Sequence, residues 1–442
     1  MEDMTILMHL RKRKSKYCSV FLMLAITICI ACLFAYSYVK NITYQIQEEF
    51  IHNQEDSVIV SEVNGYTGRF PDIVLTGDHL IAAYYWNNSH APYVLGDSLG
   101  TIQLKYGEID GSKWDSVPIE FIGEEFLINN NLGLWKDDER YYDSKDEAEK
   151  NNAVFCIEAR DPNFAKMGEK IIFTFFTRLP WDSKLGRNSY YQYDENYDYT
   201  YGRTYIMYSD DMGITWSKPV EIPCDYLDRG CAKRGNIAVL DENKLLIPLY
   251  GYNHNLGDSF TTANVVAALK DGNWEFQEEY YTHQEEGLPA DGAFEAGITE
   301  VSFTVLGNHI YALCRPNGDI QVSEDSGKTW KKINFSREEN LILHQPSLET
   351  ISDSQQILAS WAEPNKNGSR DIYLYLFKTG KDNSWNYMNK YCIYHNENAG
   401  DMGDPTSIFL SNQDALTIYY DVQKGIVGCT KTKLVKSNGG NK

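Results

Sequence analysis

The stretch Ser323-Glu324-Asp325-Ser326-Gly327-Lys328-Thr329-Trp330 has the pattern S-x-D-x-G-x-T-W, and it recurs intact at Ser209-Asp210-Asp211-Met212-Gly213-Ile214-Thr215-Trp216. Such an octapeptide is a stapled hairpin turn: Asp and Ser or Thr bond back to turn amides, Gly takes φ > 0, and Trp plugs the sheet. It marks a fold and carries no chemistry of its own. Other tryptophans close segments where the pattern has decayed, at Gly111-Ser112-Lys113-Trp114, Asp271-Gly272-Asn273-Trp274 and Asp382-Asn383-Ser384-Trp385. Trp216, Trp274, Trp330 and Trp385 lie 58, 56 and 55 residues apart, whereas Trp114 precedes Trp216 by 102, close to two periods with one closing tryptophan missing. A repeat near 55 residues fits a four-stranded blade. The spacing predicts an all-β, six-bladed β-propeller over residues 63–434, with both octapeptides in peripheral turns.

Composition agrees. The 442 residues are 43% hydrophobic and 13% aromatic, with 32 Tyr, which favours strands and excludes a disordered or collagenous chain. From Gly65 onward short apolar or alternating runs, such as Ile73 to Tyr85, Lys170 to Phe176 and Ala415 to Tyr420, are separated by Gly, Asn and Asp turns. The net charge of −21 gives a surface field that repels nucleic acid and anionic lipid, so an anionic substrate must be held by a local cationic cluster. The nine cysteines show no C-x-x-C metal spacing, and no H-E-x-x-H, phosphate-loop or dinucleotide fingerprint occurs, so neither metal nor cofactor is expected. Cys224 and Cys231 are close enough to close a short disulfide loop; single buried thiols are the alternative.

Residues 1–16 form a basic tail with Arg11, Lys12, Arg13, Lys14 and Lys16, and residues 17–39 carry no charge. That run is long enough to span a bilayer, and the charge asymmetry predicts a type II transmembrane signal-anchor with a cytosolic N-terminus. The propeller is then lumenal or extracellular, at the Golgi or the cell surface. A cleaved signal peptide is the alternative, for which Ala35-Tyr36-Ser37 is a poor site. Residues 40–62 read as a stem and 435–442 as a polar tail. Sequons at Asn41, Asn87, Asn334 and Asn367 suit the same orientation.

Three further segments accompany the octapeptides: Gly68-Arg69-Phe70-Pro71; Thr299-Glu300-Val301-Ser302-Phe303 with Leu313-Cys314-Arg315; and Ser369-Arg370-Asp371-Ile372-Tyr373-Leu374. Over about Gly65 to Cys429 this set resembles the sialidase (neuraminidase) superfamily of Asp-box, or BNR-repeat, propellers. Glu300 and Arg315, ending adjacent strands of one blade, can both point into the axial end of a propeller. The resemblance implies that Arg69, Arg315 and Arg370 fork around one substrate carboxylate, since three guanidiniums do not sit together without an anion. It further implies that Asp97, the only Asp between Asp78 and Asp110, is the general acid, that Glu300 is a catalytic base, and that Asp161 of Arg160-Asp161-Pro162 contacts substrate.

At the nucleophile the chain departs from the resemblance. A sialidase places a tyrosine-serine pair about 33 residues past the third arginine, where this chain has Gly403-Asp404-Pro405-Thr406-Ser407. Tyr391, Tyr394, Tyr419 and Tyr420 lie nearby. Sialidases use tyrosine because the reacting carbon bears a carboxylate; an aspartate at 404 would suit the carboxylate-nucleophile chemistry of other glycosidases. Three readings therefore stand: an exo-sialidase-like glycoside hydrolase acting on sialylated glycoproteins or glycolipids, an exo-glycosidase on another sugar with Asp404 as nucleophile, and a non-catalytic sialic-acid-binding lectin.

Overall fold

A computed structural model describes residues 42–47 and 58–438, apart from segments 90–97, 179–201, 254–259, 282–298 and 334–342 and several shorter breaks. Six antiparallel sheets form the blades, numbered here in chain order. Their inner strands are Thr67–Leu75, Glu158–Met167, Arg229–Ala232 continued by Ala238–Asp241, Thr299–Leu306, His344–Ile351 and Met402–Phe409. These neighbour one another in order around an axis, and the last returns to the first. Apolar side chains on alternate faces fill the spaces between blades, as in the cluster of Phe164, Phe173, Ile81 and Leu104 between blades 1 and 2.

Both octapeptides fold alike. Gly213 N–H and Gly327 N–H each donate at 2.8 Å to the Oγ of Ser209 and Ser323; the Asp211 and Asp325 carboxylates accept from Thr215 and Thr329; each Trp Nε1 donates to the glycine carbonyl at 3.1 Å. Register sets Ser209 of the first turn beside Ile171 and level with Lys166, at the end of the blade 2 inner strand away from Asp161. A Cβ on Gly213 would meet Ile81 of blade 1 at 2.3 Å, and one on Gly327 would meet Leu246 of blade 3 at 2.4 Å. The same turn in blade 3 brings the Gly272 carbonyl to Tyr208 of blade 2. Each such turn leans on the preceding blade, and glycine permits the close approach.

Six blades are present, but the tryptophan arithmetic placed them wrongly. Trp114 and Trp216 belong to consecutive blades, 1 and 2. The surplus between them includes an insertion containing helices Glu124–Asn129 and Lys145–Lys150 and the small sheet of Trp135–Asp137, Arg140–Tyr142 and Val154–Phe155. No blade is missing its tryptophan there; blade 6 is the one built differently. It combines Met402–Phe409, Asp414–Asp421 and Ile426–Asn438 with two N-terminal strands, Ile42–Ile46 and Val58–Ser61. The stretch read as a stem, 40–62, thus supplies strands to the propeller, and residues 435–438 of the expected tail pair with Ile42 to Gln45. Apolar Tyr44 and Ile46 are buried, which is why this segment docks. The Gln356 amide of blade 5 clasps Tyr44, accepting from its N–H at 2.6 Å and donating to its carbonyl at 3.1 Å.

Cys224 and Cys231 do not form a disulfide with each other, and the Asn87 sequon is closed because its side chain is buried against Tyr85 and Ser98. Residues 17–39 lie outside the described residues, among which no helix is long and apolar enough to cross a membrane.

Candidate functional site

In every blade but the third the inner strand carries a one-residue bulge whose bulged residue has a left-handed backbone, Phe70, Asp161, Glu300, Gln345 and Asp404, with φ between 48° and 55°; the blade 3 strand shifts register between Arg229 and Ala232. In blade 3 the corresponding place has Arg234 followed by Gly235 at φ 92°, where a Cβ would strike the Val301 carbonyl at 2.3 Å. A non-glycine residue at positive φ costs of order 1–3 kcal/mol, and such residues cluster where function over-determines the backbone. Five in one ring at one end of the axis, three of them carboxylates, mark that end as the site.

The charged groups are buried and paired. Asp161, Glu300 and Asp404 are each 4–6% exposed. Glu300 accepts from Arg315 Nη1 at 2.6 Å, and its other oxygen is buried without a donor among the described residues. Burial would raise the Glu300 carboxyl, but Arg315 and Arg234 outweigh it and hold it below the usual carboxylate range. Arg234 spans the axis, one Nη on Asp161 Oδ1 at 3.2 Å and the other on Asp404 Oδ2, with its guanidinium 4.4 Å from the centre of the Phe70 ring. Burial pushes Asp404 up to about 7, partly offset by Arg234, with Glu300 adding to the rise. Arg370 donates to the Met402 carbonyl at 3.1 Å and acts on both Asp404 and His344. His344 is driven down to about 4 by burial and by the Arg315 and Arg370 charges, so it is neutral at physiological pH.

Arg69 is buried one residue before Phe70, donating to the Asn87 carbonyl at 2.8 Å, with its Nε 3.5 Å from Asp401 Oδ2. Asp401 also accepts from Tyr420 Oη at 2.8 Å, and Tyr420 meets Phe70 edge-on. Burial, Asp404 and Asp401 raise the Tyr420 hydroxyl well above its ordinary value. Glu158, fully buried, takes Arg178 Nε at 2.5 Å, Tyr85 Oη at 2.8 Å and Gly100 N–H at 3.0 Å. The last contact anchors the loop that carries Asp97, which itself lies outside the described residues, as does the Tyr-rich stretch 190–201.

Beneath this ring Lys233 bonds Asn163 and the Gly235 carbonyl beside Asp72, which bonds Phe164 N–H at 2.8 Å. Burial lowers Lys233 to about 7 and raises Asp72 to about 6. A cavity of about 400 Å³ lined by Asp72, Asn236, Glu349 and Thr406 opens on the far side of that layer, away from Asp161, Glu300 and Asp404.

Of the residues singled out in the sequence, Asp161, Glu300, Arg315, Arg370 and Asp404 share one charge cluster. Arg69 joins through Asp401, whose chain neighbour Met402 holds Arg370. Sequence reasoning missed Arg234, Asp401, His344 and Gln345. A signal was available: Arg-Phe-Pro at 69–71, Arg-Asp-Pro at 160–162, His-Gln-Pro at 344–346 and Gly-Asp-Pro at 403–405 all end on the proline that follows the bulged residue.

No family model and no curated protein matches the sequence. Among solved structures, a protein of unknown function from Dyadobacter fermentans DSM 18053 is similar over 87% of this chain and 99% of its own, with TM-score 0.60 and 14% identity. Hadza microbial sialidase Hz136 is similar over 84% of this chain and 66% of its own, with TM-score 0.56 and 15% identity. The fold is that of the sialidases. The intramolecular trans-sialidase of Ruminococcus gnavus is a further example, at TM-score 0.54 and 14% identity over 86% of this chain and 98% of its own. At such identities the likeness extends to the sialidase propeller alone.

Proposed function

We propose that this sialidase-fold protein is a glycoside hydrolase that removes a terminal acidic sugar, sialic acid above all, from glycoproteins or glycolipids. The observation that carries the reading is the ring of left-handed residues placing Glu300 and Asp404 against Arg315 and Arg370 at one end of the axis. Arg370, held among the described residues only by a carbonyl, and Arg315, half-buried, are the guanidiniums suited to a sugar carboxylate, with Arg69 beside them. Asp97 serves as the acid and Asp161 touches substrate. Two groups are suited to attack: the Asp404 carboxylate, and the Tyr420 hydroxyl, whose proton Asp401 accepts.

A second reading, a non-catalytic lectin, is favoured by one observation. Arg234 occupies both Asp161 and Asp404, and Tyr420 is buried under Phe70. Hydrolysis of a fluorogenic sialoside by the purified protein separates the two. Glu300→Gln should keep binding and lose roughly a hundredfold or more in turnover; Asp404→Asn and Tyr420→Phe then identify the nucleophile by which abolishes turnover. Binding without hydrolysis at any pH between 4 and 9 makes the protein a lectin.

We also infer that residues 17–39 anchor the protein with its propeller on the non-cytosolic side, from five positive charges before that run and Lys40 alone just after it. Protease added outside intact cells should then degrade the propeller; its protection there, with digestion only from the cytosolic side, would reverse the orientation.

A further inference from the structure

Arg234 has no counterpart among the residues expected from the sequence, yet it bonds two of the carboxylates of the ring. Its guanidinium links blade 2 to blade 6 across the axis through Asp161 and Asp404, and its face rests on Phe70. Phe70 adopts φ 55° at the ring position that carries a carboxylate in blades 2, 4 and 6, so backbone strain is spent on putting an aromatic face under this cation. Arg160 also stacks on Phe70, at 4.6 Å, and bonds Asp161 Oδ1 at 3.4 Å. Asp161 therefore keeps a cation even without Arg234, whereas Asp404 would face only Arg315 and Arg370, both turned toward Glu300 or the Met402 carbonyl.

We propose that Arg234 is a positioning residue that favours the ionised form of the Asp404 carboxylate and aims it along the axis, and so sets the lower pH limit of the site. This rests on the reading of Asp404 as a working group of a hydrolase. The groups facing Asp404 are Arg234 from blade 3, Glu300 and Arg315 from blade 4, Arg370 from blade 5 and Tyr420 of blade 6, with Asp161 of blade 2 reached through Arg234. Glu300 and Asp161 carry carboxyl groups and Tyr420 no cation, so removing Arg234 leaves Asp404 among acidic groups with one cation fewer. Its proton is then lost only at higher pH. The direction already visible in the structure agrees: burial lifts Asp404 to about 7 and Arg234 is the largest opposing influence.

Two measurements test this. In the first, the pH dependence of kcat/KM on a fluorogenic sialoside is compared for the wild type, Arg234→Gln and Arg234→Lys. The acid limb should move up by one pH unit or more in Arg234→Gln, with at least a tenfold loss at pH 6 that is largely recovered by pH 9, and by less in Arg234→Lys. An equal loss at every pH, with the limb unmoved, would show a merely structural role and overturn the proposal. The second needs no activity: melting temperature is followed from pH 4 to 9 for the wild type, Arg234→Gln, Asp404→Asn and the double variant. The fall in stability with pH that Asp404 causes should extend to higher pH in Arg234→Gln and vanish in the double variant. Parallel curves for wild type and Arg234→Gln would overturn the proposal. If the wild type hydrolyses nothing, the hydrolase reading fails while the melting curves still decide whether Arg234 governs Asp404; should Arg234→Gln not fold, Arg234→Lys carries the same comparison with a smaller displacement.

Discussion

Buried on the axis among arginines and carboxylates, Asp404 keeps its proton to about pH 7, where an ordinary aspartate loses it near 4. The sign of the consequence follows from linkage. The native state binds this proton where the unfolded chain does not, so its stabilising effect is complete below about pH 4 and is lost as pH rises through about 7. Asp404→Asn should therefore gain on the wild type between those limits, by a few kcal/mol at about 1.4 kcal/mol per unit of displacement. A stability difference between the two that stays constant with pH would contradict the assignment. Single residues also show where sequence reading reached its limit. Glu300 and Arg315 were legible because one hairpin joins them at a separation of 15. Arg234 was not, because its partners are 73 and 170 residues away and no local spacing encodes them. Asp404 was noticed for the tyrosine it replaces, but its left-handed backbone and its arginine come only with the ring.

At the scale of elements, the inner strands and the outer turns divide the labour. The bulges turn side chains of the inner strands toward the axis, and the stapled turns at the opposite strand ends wedge each blade against the one before. Gly213 and Gly168 separate two parts of the glycine requirement. Both have positive φ, 88° and 61°, but a Cβ on Gly168 meets nothing within 4 Å whereas one on Gly213 meets Ile81 at 2.3 Å. Gly168→Ala should cost about 1 kcal/mol of backbone strain, and Gly213→Ala about 1–3 kcal/mol more from overpacking at the blade contact. Thermal or urea unfolding gives both values; equal losses would mean the turn does not hold neighbouring blades together. These turns were the most legible elements because the Ser, Asp, Gly, Thr and Trp that define the octapeptide bond one another within it. The insertion between blades 1 and 2 has no repeat, so it was counted as part of a blade.

The whole molecule closes by handing N-terminal strands to its last blade, an arrangement that a left-to-right reading of a polar, repeat-free 40–62 segment does not reveal. Blade number survived the misplacement because the extra blade counted between Trp114 and Trp216 was offset by blade 6, which no tryptophan closes. The net charge of −21 makes the electrostatic problem global: the average field repels an acidic sugar, and the axial arginines oppose it. Whether they do is best measured by calorimetric titration of a non-hydrolysable thio-linked sialoside and its carboxyl methyl ester against the wild type and Arg370→Ala. Losing a buried charge-assisted contact of about 2–5 kcal/mol weakens binding roughly thirtyfold or more. The wild type should bind the free acid, with that loss for the ester and for Arg370→Ala alike. Equal affinity of the wild type for acid and ester would show that the arginines do not hold a sugar carboxylate.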